Sequence, residues 1–383
     1  MTNPADPSTP KPWHHYARAL ANLLCDRGDL TDPAWYNAIA HTPRHRLVPQ
    51  IWKQEGAPEW TPVDTAGPAG LELVYSPTSL ITKVDARGVP ISSSTKPDLM
   101  VRMLESLDVR GGDRVLEIGT GTGYNAALLT HRLGDDNVVS IDVDDELVET
   151  ARARLARFGA HPILAIVDGE NGFPARTPYD RIIATCSVST VPWAWAEQVR
   201  DGGRILVSIM PTIHAGNLVL LEKHGDRLEG RFSRRLGQFM SMRHTGEAPE
   251  TLASAQPAGD ERQRTTTAPT EPWKISPVAW MWAALELPGL SLGYSLNDEG
   301  TVDASYLTTP DGSWATVPLG RGERTITEAG PTPIWYVIEK TLDRWHSTGQ
   351  PGWERLGMTA TPGRQTMWLD APDGHHHWPL TGN

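Results

Sequence analysis

Apolar residues recur at helical spacing over Trp13–Asp26 and again over 32–40, which predicts two short helices near the start of the chain. Residues 43–97 break that order: prolines and glycines interrupt short apolar runs, so the stretch reads as a loop-rich cap or hairpin region rather than a regular layer. Regularity returns at Pro97, a residue suited to a helix first turn, with Leu99, Met100, Met103, Leu104 and Leu107 on one face. Strands are then predicted at 114–118, 138–143, 163–167, 181–185 and 204–209, alternating with helices at 125–133, 146–158 and 193–200. Continuous Val/Ile/Leu runs between helices indicate an α/β fold with a doubly wound, mostly parallel sheet covered on both faces. Segments 217–222 and 231–236 are candidate antiparallel edge strands.

Residues 246–272 are rich in Pro, Ala, Thr and Gln and carry almost no large apolar side chain, which predicts a flexible linker. Beyond it, residues 273–383 hold Trp273, Trp280, Trp282, Trp314, Trp335, Trp345, Trp353, Trp368 and Trp378, most of them expected in a core. Turns at Pro310-Asp311-Gly312 and Pro372-Asp373-Gly374 between short strands, with a helix at 334–348, suggest a second, smaller α+β domain. The expected organisation is a disordered start (1–12), a first domain (13–245), the linker and the tryptophan-rich domain.

Composition narrows the function. With 35 basic and 46 acidic residues the net charge is −11, a poor match to sequence-independent nucleic-acid binding. Cys25 and Cys186 build neither a disulfide scaffold nor a metal-ligand spacing, and Cys186 is expected as a buried small residue. No apolar run has the length of a membrane span and no signal segment is visible, so a cytoplasmic protein is expected. His375-His376-His377 has no second ligand cluster beside it and is taken as a solvated tail rather than a metal site.

The strongest chemical signal is Val115-Leu116-Glu117-Ile118-Gly119-Thr120-Gly121-Thr122-Gly123-Tyr124, a strand running through glycines into a helix. Such a turn lets a ligand approach the backbone beside unpaired helix N–H groups. Asp142, with Val143 after it, ends the next strand, where a carboxylate can accept from both ribose hydroxyls. Asp168-Gly169 ends the third strand and suits an adenine amino group. The spacing G-x-G-x-G differs from the dinucleotide pattern, and no Gly-Lys-Ser/Thr follows to make a phosphate loop. Glu117 would repel a pyrophosphate and favour a cationic amino-acid end. The set fits S-adenosylmethionine.

These residues, with Pro43-Arg44-His45-Arg46-Leu47-Val48-Pro49, Tyr179-Asp180-Arg181-Ile182-Ile183 and Gly202-Gly203-Arg204-Ile205-Leu206, resemble the protein-L-isoaspartate O-methyltransferase family over about residues 15–243. The resemblance implies a Rossmann-like methyltransferase that esterifies a side-chain carboxylate of a peptide, with the substrate-facing hydroxyl falling on Thr95. The chain departs from the family's usual Thr-Ile-Ser-x-Pro with Ile91-Ser92-Ser93-Ser94-Thr95-Lys96-Pro97. That hydroxyl run and the long C-terminal part resemble members that modify ribosomally made peptides, graspetides ahead of lanthipeptides. There a methylated aspartate closes to an aspartimide, which is kept or opens to isoaspartate.

Ser93, Ser94 and Thr95 are thus expected to hold the substrate carboxylate, while Thr95 is also placed to cap the helix at Pro97. Arg231, Arg234, Arg235 and Arg243 would hold an acidic peptide, or else charge a solvated edge strand. General repair of isoaspartyl proteins, and a non-catalytic peptide-binding module, are the alternatives; the intact acids Glu117, Asp142 and Asp168 speak against the second. The oligomeric state is left open.

Overall fold

The computed structural model describes residues 11–56, 59–245, 260–297 and 300–381. Residues 1–10 of the expected disordered start and 246–259 of the expected linker lie outside the described residues. Two compact units emerge. The first takes Met1–Thr185, Glu197–Leu206 and Arg243–Pro249; the second takes Cys186–Ala196, Val207–Met242 and Glu250–Asn383. The contacts therefore divide elsewhere than at 245, and residues 207–242 group with the C-terminal part.

The first unit opens with α1 (Trp13–Asp26), α2 (Pro33–His41) and the single turn α3 (Arg44–Leu47). Asp32 caps α2 by accepting from the Ala34 N–H, and Pro33 sits at the first helical position. The region expected as a loop-rich cap or hairpins rather than a regular layer is a four-stranded antiparallel sheet, order β2-β1-β3-β4: β1 (Gln50–Gly56), β2 (Glu59–Asp64), β3 (Leu80–Val84) and β4 (Pro90–Ser94). Helix α4 (Pro68–Val74) links β2 to β3. These strands are short and half-exposed, so no continuous apolar run betrays them. Pairing of Leu80 with Ser94 fixes the end of β4.

After α5 (Pro97–Ser106) come β5 (Val115–Ile118), α6 (Tyr124–Leu133), β6 (Val138–Asp142), α7 (Asp145–Ala156), β7 (Ile163–Ile166) and β8 (Tyr179–Val188). All four residues of β5 are buried, as a central parallel strand requires. Within this unit the parallel order is β8-β5-β6-β7. The chain runs outward from β5 to β7 and then returns to the other side of β5. That reversal opens a crevice at the carboxyl end of β5, the place where doubly wound sheets bind ligands. Helix α8 (Trp193–Gln198) ends earlier than expected, and the long strand β9 (Val199–Thr212) follows at once.

In the second unit, β10 (Ala215–His224) pairs antiparallel with β11 (Arg227–Phe232). β12 (Arg262–Thr266) lies inside the segment expected as linker and forms the edge of a five-stranded sheet. After α9 (Pro272–Ile275) and α10 (Pro277–Glu286), that sheet is completed by β13 (Ser291–Leu296), β14 (Val302–Thr308), β15 (Trp314–Pro318) and β16 (Arg324–Ala329), in the order β12-β16-β15-β14-β13. Helix α11 (Ile334–Ser347) leads to β17 (Leu356–Thr361), β18 (Arg364–Leu369) and β19 (His377–Leu380). β17 pairs with β11, so β11 has a partner on each side and is not the edge strand expected from its charges. Arg231 stacks 4.9 Å over the Trp368 ring and donates to the Asp370 carbonyl at 2.6 Å. Of the nine tryptophans from Trp273 onward, eight are buried and Trp345 is half-buried. Cys186 is half-buried rather than buried. The three histidines are exposed, but His377 begins β19 instead of lying in a tail.

Candidate active site

Gly119, Gly121 and Gly123 all adopt left-handed φ, at 101°, 50° and 81°. Space adds to the demand at the first. A Cβ on Gly119 would lie 2.5 Å from Thr185 Oγ1, whose hydroxyl donates to the carbonyls of Ile118 and Gly119 at 3.1 and 2.8 Å. The N–H groups of Gly119 and Thr120 donate to the Ile141 carbonyl, tying the turn to β6. Thr122 is buried in the turn, and Gly123 is the N-cap of α6.

Beneath the turn runs a buried polar network. Thr120 Oγ1 is 2.7 Å from Ser140 Oγ, which donates to Glu117 Oε2 at 2.6 Å; Asn125 Nδ2 donates to Glu117 Oε1 at 2.8 Å. Glu117 is only 1% exposed. Burial pushes its carboxyl up to about 7; the two donors pull it back, and the charge of Asp142 raises it further. Glu117 thus supports the turn from below, through Ser140 and Thr120.

Asp142, ending β6, accepts from the Gly121 N–H at 3.0 Å and the Asp144 N–H at 3.1 Å. Burial raises its carboxyl above the ordinary range. Val143 follows, half-buried. Asp168 stands just past β7, accepting from the Glu170 N–H at 3.0 Å, with Gly169 buried behind it. The crevice thus gathers Asp142, Asp168 and, from below, Glu117.

On the other wall lies the hydroxyl run. A Cβ on Gly121 would be 3.8 Å from both Ser92 Oγ and the Ser93 carbonyl, which puts β4 against the glycine turn. Ser92 and Ser94 are buried, while Ser93 and Thr95 are half-buried. The cap of α5 is Lys96, with no side-chain cap bond, so Thr95 does not cap this helix. Its hydroxyl has no protein partner among the described residues.

Three positions escaped the sequence reading. Lys83 reaches Asp144 at 3.0 Å and Glu146 at 2.7 Å. His244 meets Asp168, and Arg44 lies buried behind Ser94. Arg44 stands in the Pro43–Pro49 motif, where its sequence position alone gives it no role at the site; His244 follows no periodic signal at all. Arg243, expected on a peptide-holding stretch, approaches Asp144 at 3.6 Å. Half-buried Asp168 and His244 and exposed Glu170 converge within 4.8 Å; such acidic groups are common without an ion, and they carry no metal assignment.

The residues present fit S-adenosylmethionine. Two strand-end carboxylates would offer acceptors to ribose hydroxyls and an adenine amino group, three side-chain-free positions admit close approach, and an acidic lining would favour a cofactor that carries a sulfonium and an ammonium.

Comparison with known proteins agrees. Residues 17–235 match the family model described as protein-L-isoaspartate(D-aspartate) O-methyltransferase. Protein-L-isoaspartate O-methyltransferase 1 of Archaeoglobus fulgidus is 36% identical over 197 residues, covering 51% of this chain and 80% of that protein. The Methanoregula boonei protein-L-isoaspartate O-methyltransferase is 30% identical over 239 residues, 61% of this chain and 98% of its own length. A solved structure titled protein-L-isoaspartate O-methyltransferase, 23% identical, shares the fold with a TM-score of 0.56 over 93% of this chain and 100% of that one. The chain belongs to the protein-L-isoaspartate(D-aspartate) O-methyltransferase family, whose members are carboxyl O-methyltransferases that use S-adenosylmethionine.

Proposed function

We propose that this enzyme esterifies the side-chain carboxylate of an aspartyl-derived residue in a peptide, with Ser93, Ser94 and Thr95 receiving that carboxylate. The observation that carries the reading is the approach of β4 to Gly121, which sets the hydroxyl run beside the cofactor crevice. A carboxyl group with an ordinary pKa near 4 is ionised at neutral pH, so no general base is needed. The cofactor, when bound, supplies an electrophilic methyl group on sulfur. The protein's task is alignment: hydroxyls hold one carboxylate oxygen and leave the other free, an effect worth up to roughly 7–11 kcal/mol in well-oriented reactions. Glu117, Asp142 and Asp168 hold the methyl donor.

For the substrate, our reading is an aspartate in a ribosomally made, modified peptide, graspetide-type ahead of lanthipeptide. It rests on the serine run 92–94, which departs from the usual family pattern. The methyl ester makes methanol a leaving group, so the next backbone nitrogen can attack the carbonyl, lose its proton and close the aspartimide. General repair of isoaspartyl proteins is the second reading. It is favoured by the 93% coverage of this chain in a structure titled simply as the isoaspartate enzyme, because the C-terminal part then needs no dedicated peptide to account for it. Intact-mass spectrometry separates the two. Cofactor is supplied in parallel to an isoaspartyl test peptide and to a cyclised, aspartate-containing precursor. Methyl gain, or loss of water after closure, on the precursor alone supports maturation; the change on the test peptide alone supports repair.

A further inference from the structure

Arg44 is fully buried at the start of α3, and among the described residues it has no carboxylate within ion-pair distance. Its Nη1 donates to the Val74 carbonyl and, at 3.4 Å, to that of Ser76. Its Nη2 donates to Ser94 Oγ and the Thr95 carbonyl, both at 3.1 Å, and to the Ser94 carbonyl at 3.4 Å. The guanidinium lies 5.2 Å over the Tyr124 ring, the first residue of α6, and its Nε is buried without a partner. Neutral donors would bond the same carbonyls without burying a charge, and an unpaired buried charge is costly. Burial lowers its pKa to about 10, which leaves it protonated at neutral pH.

A serine hydroxyl offers one donor and two acceptor positions. At Ser94 the Arg44 N–H group occupies the acceptor side, and among the described residues no acceptor takes the hydroxyl proton. We infer that Arg44 is a positioning residue for the substrate carboxylate: it turns the Ser94 O–H outward as a committed donor and places an uncompensated positive charge behind it. The inference rests on Ser94 receiving the carboxylate, as proposed above. It makes the site selective for an ionised group over a neutral amide of the same shape.

The test is a double-mutant cycle on a peptide that the unaltered enzyme methylates, with Arg44→Lys, Ser94→Ala and the pair. Cofactor affinity by calorimetry and the thermal midpoint report integrity. Arg44→Lys should lower kcat/KM for the peptide at least tenfold while the cofactor Kd stays within twofold. In the Ser94→Ala background the same change should cost less than twofold more. Losses that multiply in the double variant, or an unchanged kcat/KM in Arg44→Lys, overturn the inference. So does a loss matched by equal loss of cofactor binding, which assigns Arg44 a purely structural role. An unchanged kcat/KM in Ser94→Ala alone instead refutes the reading of Ser94. If Arg44→Lys does not fold, Arg44→Gln keeps an N–H donor without the charge and is judged by the same criteria.

Discussion

His244 Nδ1 lies 3.1 Å from Asp168 Oδ1 and 3.2 Å from Oδ2, and the Thr245 N–H approaches Oδ2 at 3.3 Å. The carboxylate that we propose for the adenine amino group is thus already engaged by residues 244–245. The pair is half-buried, and ion pairs near the surface are worth about 0–1 kcal/mol. His244→Ala should therefore tighten cofactor binding by roughly two- to fivefold, read as Kd by calorimetry. Weaker binding would mean that His244 helps hold the adenine instead of competing with it.

Asp142 accepts from the Gly121 and Asp144 N–H groups, and in the proposed reading it would also accept from the ribose hydroxyls. Hydrogen bonds to charged groups contribute about 1.5–3 kcal/mol. Asp142→Ala should raise the cofactor Kd by roughly ten- to a hundredfold, and Asp142→Asn by less, because the amide oxygen can still accept from the turn. An unchanged Kd in the alanine variant removes the ribose assignment.

Glu117, pushed up to about 7 by burial, should couple cofactor binding to protons. A cation held above it favours the ionised form, so binding near pH 6.5 releases protons and affinity rises as pH increases through 7. Calorimetry in buffers of different ionisation heat measures the release; Glu117→Gln should abolish it, and no buffer dependence in the unaltered enzyme would refute the coupling. Without cofactor, a carboxyl raised from 4.5 to about 7 on folding binds its proton more tightly in the native state. Its contribution to stability is therefore complete below pH 4.5 and declines as pH rises through 7. Thermal midpoints should fall less over this range in Glu117→Gln.

Gly119 and Gly121 should answer alanine differently. At Gly119 the new Cβ meets Thr185 Oγ1 at 2.5 Å on top of a φ of 101°, so Gly119→Ala should lower the thermal midpoint and abolish cofactor binding. At Gly121 the nearest atoms are 3.8 Å away and only φ is unfavourable, a cost of about 1–2 kcal/mol. Gly121→Ala should fold with a modest loss of midpoint. Equal damage at the two positions would show that strain alone, not the Thr185 contact, sets the demand.

The α/β alternation, the strand ends at Asp142 and Asp168 and the glycine turn were legible because each is local. A buried parallel strand needs a continuous apolar run, and a left-handed turn needs glycine, whatever surrounds it. For the same reason the cofactor could be read from residues 115–124, 142 and 168, and the family from these with the local motifs at 43–49, 179–183 and 202–206. Elements that owe their existence to distant partners left no such trace. The strands of the four-stranded sheet are half-exposed, and β12 is a polar strand held by backbone bonds to β16, so neither shows an apolar pattern. β11 carries the charges of an edge, yet β17, more than a hundred residues later, pairs with it and Trp368 covers Arg231. The same holds at the site. Local order set the turn, whereas the meeting of His244 with Asp168 and of Arg44 with Ser94 depends on contacts between segments dozens of residues apart, which only the folded chain supplies.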